Sequence, residues 1–295
     1  MIEEDKALKI QWFPGHMHRA RKKLKEQLPK VDLVVEVLDA RLPRASRNPL
    51  IAELTEHRPR VFVLTRKDLA DPSLTRSWIK SLSEKNDNPV LAVDLKKENP
   101  KKKVIAAARQ ALAKVLKQRG GRRRSSIRLM VVGIPNVGKS TLINKLVGRK
   151  VARTGNEPAV TRGEQWVRID KEFELLDTPG LLWPKFEDPE VARCLALSGA
   201  IRDTTLPLLD LCFEGLTWLH ARYPAHLKGY GLEAPLTGAV SPQVLLEGLA
   251  KKRGCLQSGG VLDLNRAGEL FLRELRAGKL GALTFESPVE SGELQ

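Results

Sequence analysis

The 295-residue sequence has few aromatic residues, few cysteines and no long apolar run. Its longest apolar-rich stretches, such as 31–38 and 129–134, are far shorter than the roughly 18 residues of a membrane-spanning helix, which excludes a transmembrane segment. The first residues, Met1-Ile-Glu-Glu-Asp, do not combine a basic region with an apolar one, so the pattern of a secretory signal is absent as well. We therefore expect a cytoplasmic protein that does not bind membranes.

The three cysteines, Cys194, Cys212 and Cys255, are an odd number, lie far apart and form no Cys-x-x-Cys pair. This pattern excludes a disulfide framework and disfavours a zinc site, so we expect reduced thiols in the core. Aromatic residues make up only 5% of the chain and are not interleaved with the basic clusters. We thus expect the protein to recognise the phosphates and the shape of a nucleic acid rather than to stack aromatic side chains on its bases.

Acidic residues are outnumbered by basic ones, 35 to 51, which gives a formal net charge of +16. Such an excess indicates a polyanionic partner and says nothing about the fold. The segment 95–128 contains a single acidic residue, Glu98, among its many lysines and arginines. We expect contacts with RNA phosphates, the alternative being an ordinary solvated face. The candidate contact residues are Lys101, Lys102, Lys103, Arg122, Arg123, Arg124, Arg19, Arg21, Lys22, Lys23, Lys25, Lys251, Lys252 and Arg253.

Short β-branched apolar runs alternate with helix-like stretches through the first two thirds of the chain. The predicted strands are 31–39, 60–65, 90–93, 127–133, 165–169 and 173–177, and helices are expected at 72–83 and 104–118. This alternation predicts a doubly wound, mostly parallel α/β sheet.

The pattern changes after Gly180, where helical periodicity replaces the strand-like runs. Helices are expected at roughly 188–200, 207–222, 241–252 and 263–277. We therefore predict an α/β domain with a basic N-terminal segment over 1–184, a small all-α domain over 185–284, and a disordered tail over 285–295.

The segment 133–140, Gly-Ile-Pro-Asn-Val-Gly-Lys-Ser, fits the phosphate-loop pattern Gly-x-x-x-x-Gly-Lys-Ser. It lies directly after a predicted strand and before a helix-like stretch, which is the context that this loop requires. Its glycines allow backbone amides to surround phosphate oxygens, Lys139 reaches the β- and γ-phosphates, and the Ser140 hydroxyl binds Mg²⁺. The sequence thus predicts a nucleotide-phosphate site.

Two weaker motifs would complete that site. In Asp177-Thr-Pro-Gly180, the Asp177 carboxylate would hold Mg²⁺ through a water molecule and the Gly180 N–H would meet the γ-phosphate. Thr161 would complete the Mg²⁺ shell in the triphosphate state. Asp-x-x-Gly by itself is also a common turn, and Thr161 taken singly is equally compatible with no role.

Guanine recognition requires an aspartate at the end of a strand, because its carboxylate accepts hydrogen bonds from guanine N1–H and N2–H₂. No Asn/Thr-Lys-x-Asp pattern follows residue 180, but Thr65-Arg66-Lys67-Asp68 ends the predicted strand 60–65. The parts of a GTPase are therefore present in rotated order, with base recognition ahead of phosphate binding. A circular permutation explains this order.

This order and four further motifs resemble the circularly permuted ribosome biogenesis GTPase A family (YlqF/RbgA). The motifs are Gln11-Trp-Phe-Pro-Gly-His-Met17, Asp39-Ala-Arg-Leu-Pro43, Ser46-Arg-Asn-Pro49 and Asp177-Thr-Pro-Gly-Leu-Leu-Trp-Pro184. The resemblance extends from about residue 10 to 284. It implies a circularly permuted P-loop GTPase domain followed by a small all-α domain that helps the protein dock. It also implies that the protein binds GTP/GDP with Mg²⁺, acts late in assembly of the large ribosomal subunit and binds the rRNA of that subunit.

Some positions depart from the family pattern. Thr65 and Arg66 replace the usual Asn and Lys, which alters the hydrogen bond between base loop and phosphate loop and places a guanidinium beside the base. Val93-Asp94 replaces a small polar pair that contacts the guanine carbonyl. The candidate GTP-binding residues are Thr65, Arg66, Lys67, Asp68, Val93, Asp94, Asn136, Val137, Gly138, Lys139, Ser140, Thr141 and Gly180.

The residue after Asp-x-x-Gly is Leu181, whereas many GTPases have a water-orienting glutamine there. Leucine cannot orient water, so either hydrolysis is slow or another group assists. The candidate is His16, whose catalytic role the resemblance supports; otherwise His16 contacts RNA or caps a loop. In related GTPases an asparagine at the position of Asn136 binds K⁺, the alternative being a bond to the loop backbone.

The main alternative function is an RNA-binding scaffold in which nucleotide changes the conformation without significant catalysis. A third reading, an ATP-dependent enzyme, is disfavoured by Asp68. We expect the free protein to be monomeric.

Overall fold

The computed structural model describes residues 21–22, 24–86, 88–118, 126–152, 166–177, 188–201, 207–232 and 241–288. These residues divide into two compact units. The described part of the first unit covers 21–177 and 284–288, and that of the second covers 188–283. None of the described helices is long and apolar enough to cross a membrane.

The first unit contains a six-stranded sheet with the order β3-β2-β1-β4-β6-β5. The strands are β1 (Leu33–Asp39), β2 (Arg60–Thr65), β3 (Val90–Ala92), β4 (Ile127–Val132), β5 (Trp166–Arg168) and β6 (Phe173–Asp177). All pairs are parallel except β5 with β6, which is antiparallel. The predicted mostly parallel sheet is confirmed.

Helices cover both faces of this sheet. They are α1 (Pro49–Leu54), α2 (Pro72–Asn86), α3 (Lys101–Gln118) and α4 (Lys139–Val147), with 3₁₀ turns at Leu28–Lys30 and Lys67–Leu69. Alternate strand residues point to opposite faces, and all seven residues of β1 and all six of β2 are buried. Burial on both faces is typical of a parallel sheet inside a doubly wound fold.

The second unit is helical, with α5 (Pro189–Ser198), α6 (Leu208–Arg222), α7 (Pro224–Tyr230), α8 (Pro242–Lys252) and α9 (Leu264–Ala277). Helices α6, α8 and α9 pack against one another. Their shared core contains Leu219, Leu249 and Phe271, none of which is exposed to solvent. Helix α7 was not predicted, although Pro224 at its start and Gly231 directly after it are standard helix boundary residues.

All three cysteines, Cys194, Cys212 and Cys255, are free and buried, as predicted. In the described part of the chain, no group of three or more histidine, cysteine, aspartate and glutamate side chains is arranged to hold a metal ion.

The prediction of a disordered tail from residue 285 is wrong for residues 285–288. Phe285 and Glu286 are buried, with 4% and 7% of their surface exposed. Phe285 donates its N–H to the Arg41 carbonyl at 2.6 Å, and Trp78 Nε1 donates to the Glu286 carbonyl at 3.1 Å. These residues stay ordered because backbone and indole groups of the first unit bind them. The predicted boundary at 184/185 and residues 289–295 lie outside the described residues.

Candidate nucleotide site

The phosphate loop connects the end of β4 to the start of α4 and requires glycine at both of its ends. Gly133 has φ +150, and a Cβ there would lie 2.5 Å from the Val37 carbonyl oxygen. Gly138 has φ +96 and is the N-cap of α4. A side chain at Gly133 would therefore clash with the backbone of the central strand. The glycines leave the N-terminal amides of α4 available for an anion, as in other phosphate loops.

The functional side chains of this loop occupy the first turn of α4. Lys139 is 8% exposed, and its Nζ donates to the Ile134 carbonyl at 2.7 Å across the loop. Ser140 and Thr141 follow it in the same turn and are half-buried. Asn136 adopts a left-handed conformation with φ +61. Lys139 thus bends back over the loop, and its ammonium contacts the loop backbone at Ile134.

The predicted base-recognition loop begins where β2 ends. Thr65 is the last residue of β2, Arg66 is left-handed with φ +56, and Lys67 and Asp68 start a 3₁₀ turn. The Asp68 carboxylate accepts a hydrogen bond from Lys96 Nζ at 2.9 Å. Asp68 is therefore held at the carboxyl end of the sheet with a cation on one of its two oxygens.

The base loop and the phosphate loop contact each other directly through two side chains. Thr65 Oγ1 donates to the Val137 carbonyl, and Arg66 Nη2 donates to the Asn136 carbonyl at 2.6 Å. The hydroxyl also lies 3.1 Å from the Leu38 carbonyl, and its single hydrogen serves one of these acceptors at a time. Thr65 and Arg66 therefore connect the base loop directly to the phosphate loop.

Val93 and Asp94 follow β3 at the same edge of the sheet. Val93 donates its N–H to the Leu64 carbonyl at 2.8 Å. The Asp94 carboxylate accepts from the Lys96 and Lys97 amides at 2.8 and 3.3 Å. Asp94 thus orders the turn that carries Lys96, the residue paired with Asp68.

The Mg²⁺ candidates Ser140 and Asp177 come from neighbouring elements. Asp177 ends β6, where it is paired in register with Val131 of β4, one residue before that strand ends. Ser140 lies in the first turn of the helix that follows β4. Hydroxyl and carboxylate oxygens are the donors that Mg²⁺ prefers. His16, Thr161 and Gly180 lie outside the described residues, so their predicted roles stay predictions.

Two side chains with contacts to this site were given no role by the sequence. Asp39 ends β1 in register with Thr65, and its Oδ2 lies 3.4 Å from Arg66 Nε. Lys96 pairs with Asp68. The Asp39-Ala-Arg motif was visible in the sequence, but its contact with Arg66 depends on the parallel pairing of β1 with β2.

Comparisons with known proteins agree with this geometry. Residues 128–217 match the family described as 50S ribosome-binding GTPase. The chain is 46% identical over 287 residues to Ribosome biogenesis GTPase A of Bacillus cereus, with 96% of each chain covered. The chain belongs to the ribosome biogenesis GTPase A family.

More distant members of the ribosome biogenesis GTPase A family match over nearly the whole length. The Thermotoga maritima protein of the same name is 30% identical, with 97% of each chain covered. Among solved structures, GNP-bound YlqF from T. maritima matches with a TM-score of 0.63 and 27% identity, covering 92% of this chain and 98% of that one. The GDP-bound structure matches with a TM-score of 0.64 and 27% identity, covering 90% and 99%.

As a ribosome biogenesis GTPase with a circularly permuted GTPase domain, the protein hydrolyses GTP. Members of this class use Mg²⁺ with GTP. Because the protein hydrolyses GTP, it is not the non-catalytic RNA-binding scaffold that was the main alternative function.

Proposed function

We propose that this GTPase acts late in maturation of the large ribosomal subunit, binding its rRNA in a GTP-dependent manner. The observation that carries the nucleotide part is the direct contact of Thr65 and Arg66 with the phosphate loop. The ribosomal part is supported by the net charge of +16 and by the names of the relatives. A cytoplasmic location and a monomeric free state remain predictions.

Guanine selection is assigned to Asp68. Its two carboxylate oxygens match guanine N1–H and N2–H₂, and adenine offers no such pair of donors. Because Lys96 donates to Asp68 Oδ2, an arriving base displaces this ammonium or shares the carboxylate with it. An exposed ion pair of this kind contributes at most about 1 kcal/mol, so its exchange is a small obstacle to binding.

Phosphate binding is assigned to Lys139 and to the backbone amides of 136–141. Mg²⁺ would be held by Ser140 and Thr161 directly and by Asp177 through water, while the Gly180 N–H would meet the γ-phosphate. When bound, the ion neutralises charge on the β- and γ-phosphate oxygens. Lys139 supplies a second positive charge from a buried position.

Water attack on the γ-phosphate is assigned to His16, because Leu181 replaces the usual glutamine. Asn136 offers a second route, in which K⁺ would supply positive charge near the phosphates. In the structure the Asn136 carbonyl accepts a hydrogen bond from the Arg66 guanidinium. The backbone of Asn136 is left-handed, which fixes the course of the loop at this residue. The two routes differ in that only the second depends on the monovalent cation.

The rRNA contacts are assigned to basic residues on both units. Arg21, Lys22 and Lys25 lie at one surface depression of the first unit, together with Glu26. Lys251 and Lys252 are exposed at the end of α8 in the second unit. Phosphate contacts by such side chains would make ribosome binding salt-dependent.

Co-sedimentation through a sucrose gradient tests this function. We expect the protein to migrate with isolated large subunits in a non-hydrolysable GTP analogue and to remain at the top with the corresponding ATP analogue. The Asp68→Asn variant, supplied with the same GTP analogue at a concentration that saturates the wild type, should lose this co-migration. Co-migration with small subunits alone, or migration independent of nucleotide, would overturn the proposal.

A further inference from the structure

The Asp39-Ala-Arg motif has no part in the chemistry assigned so far, although it lies where β1 ends between the two nucleotide loops. Asp39 is 4% exposed and Arg41 is 1% exposed. Strand β1 pairs with β2, which leads into the base loop, and with β4, which leads into the phosphate loop. A buried ion pair at this point therefore lies next to both loops.

Arg41 fixes the Asp39 carboxylate from two directions. Its Nε donates to Oδ1 at 3.1 Å and its Nη2 donates to Oδ2 at 2.8 Å, while its backbone N–H also reaches Oδ1 at 3.0 Å. Burial by itself raises the pKa of the Asp39 carboxyl, but Arg41 and Arg66 outweigh it and hold the pKa below its ordinary value. Asp39 is thus a carboxylate with a fixed orientation.

The Arg66 guanidinium lies between this carboxylate and the phosphate loop. Its Nε is 3.4 Å from Asp39 Oδ2, and its Nη2 donates to the Asn136 carbonyl at 2.6 Å. The left-handed backbone of Arg66 is unfavourable for a residue with a side chain, and the contacts of its guanidinium with Asp39 and Asn136 offset part of that cost. A single planar cation therefore bridges the motif and the phosphate loop.

We propose that Asp39 is a positioning residue of the nucleotide site. Oriented by Arg41, its carboxylate holds the Arg66 guanidinium on the Asn136 carbonyl and so keeps the base loop and the phosphate loop at the spacing that GTP requires. This inference rests on the nucleotide-binding residues of the proposed function. Asp39 itself touches neither base nor phosphate.

The charge of Asp39 is the feature that matters, because Arg66 has a competing acidic neighbour. Burial lowers the pKa of the Arg66 guanidinium and Asp39 raises it, while Arg41 lowers it and Asp68 raises it to smaller extents. Without the Asp39 charge, Asp68 becomes the nearby carboxylate that attracts Arg66. The guanidinium would then move away from Asn136 and toward the carboxylate needed for guanine.

The test begins with Asp39→Asn, which keeps the size of the side chain and removes its charge. We expect the GTP dissociation constant, measured with a fluorescent GTP analogue, to rise about tenfold. This is the effect expected for losing the charge-assisted hydrogen bond from Arg66 to the Asn136 carbonyl. The single-turnover hydrolysis rate of saturating GTP should stay within about threefold, because Asp39 acts on binding geometry.

A double-mutant cycle with Arg66→Ala separates positioning from general structural support. If Asp39 acts through Arg66, then Asp39→Asn should weaken GTP binding by less than about twofold once Arg66 is already alanine. Arg66→Lys should recover part of the affinity, since lysine can reach the Asn136 carbonyl but cannot bridge it to Asp39. Equal losses from Asp39→Asn in both backgrounds would overturn the positioning role.

Two further variants complete the test. Glu36→Gln is a matched control, since Glu36 is a buried carboxylate on the same strand that lies near Arg60 instead of the nucleotide loops, and its GTP affinity should be unchanged. Equal weakening in this control would mean that any lost carboxylate on β1 disturbs the site. Asp68→Asn tests the underlying assignment, because it should shift preference toward xanthine nucleotides. If Asp68→Asn does not shift the nucleotide preference, the assignment of the nucleotide site fails. If it does shift the preference, but the effects of Asp39→Asn and Arg66→Ala on GTP affinity are additive, only the positioning role of Asp39 fails.

Discussion

The Glu286 carboxylate accepts a hydrogen bond from the backbone N–H of Ala45 at 2.8 Å, although the two residues are 241 positions apart. Its other oxygen accepts from the Arg44 N–H, also at 2.8 Å. One buried carboxylate thus satisfies two amides in the turn that follows the Asp39-Ala-Arg motif. This contact fixes the last described residues of the chain to the first unit.

We predict that Glu286→Gln destabilises the first unit by about 1.5–3 kcal/mol, because glutamine has only one acceptor oxygen and its NH₂ group would face the second backbone N–H, a donor. Urea unfolding should show a lower transition midpoint with an unchanged slope. Glu269→Gln is the matched control, since it removes the same charge from an exposed position on α9. Equal midpoints for Glu286→Gln and the control would show that this carboxylate contributes nothing to stability.

This contact also shows why the tail was mispredicted. Residues 285–288 are Phe-Glu-Ser-Pro, which have no periodic pattern, and their order depends on partners such as Arg41 and Trp78 that are distant in sequence. The strands and most helices could be predicted because apolar periodicity is local. The seven-residue α7 gave no such periodicity, and only its flanking Pro224 and Gly231 could have indicated it.

The candidate site divides in the same way. The phosphate loop could be predicted because a single continuous segment carries Gly133, Gly138 and Lys139. The contacts of Arg66 with Asn136 and Asp39 could not, because they join three segments whose proximity follows from strand order. The family resemblance indicates that Thr65 and Arg66 depart from the usual residues, and only the packing of the loops shows what they contact.

A second prediction concerns Glu36, which is 1% exposed. Burial raises the pKa of its carboxyl above 4.5, with Arg47 and Arg60 acting in the opposite direction. A raised folded-state pKa means that the stability gained from holding the proton is complete below the unfolded-state pKa and is lost as pH rises through the folded-state pKa. Glu36 should therefore lower the free energy of unfolding of the native protein as pH rises from the unfolded-state pKa to the folded-state pKa of its carboxyl.

Glu36→Gln imitates the protonated form at every pH. The free energy of unfolding of the variant, relative to wild type, should therefore improve as pH increases from about 4 to about 7. Urea unfolding of both proteins at several pH values measures this difference. A difference that moved the other way would show that Glu36 is stabilised as a carboxylate by Arg60.

A third prediction refines the proposed RNA contacts of the basic segment. Lys101 Nζ donates to the Ile169 carbonyl at 2.8 Å and Lys103 pairs with Glu98, so both have partners within the fold. Lys102 is exposed, and Arg122, Arg123 and Arg124 lie outside the described residues. Neutralising Lys102 and the three arginines to glutamine should weaken large-subunit binding without disturbing α3.

The measurement is the salt dependence of that binding. Each lost phosphate contact should reduce the log–log slope by about 0.7–0.9, while the affinity for free GTP stays unchanged. Arg76→Gln with Lys80→Gln, on the exposed side of α2, is the control for charge removal. A slope equal to that of the wild type would identify the basic segment as a solvated face.

The last prediction is that His16→Ala abolishes ribosome-stimulated hydrolysis while GTP affinity remains nearly intact. Leu181 cannot orient the attacking water, and a positioned acid–base side chain is worth about 10²–10⁴ in rate. Single-turnover hydrolysis with and without large subunits measures the loss, and the variant should accumulate on the subunit in its GTP state. The same assay in Na⁺ and in K⁺ separates catalysis by His16 from catalysis by a cation at Asn136. If the stimulated rate of His16→Ala stays within about threefold of wild type and falls only when K⁺ is removed, catalysis depends on the cation and His16 is structural.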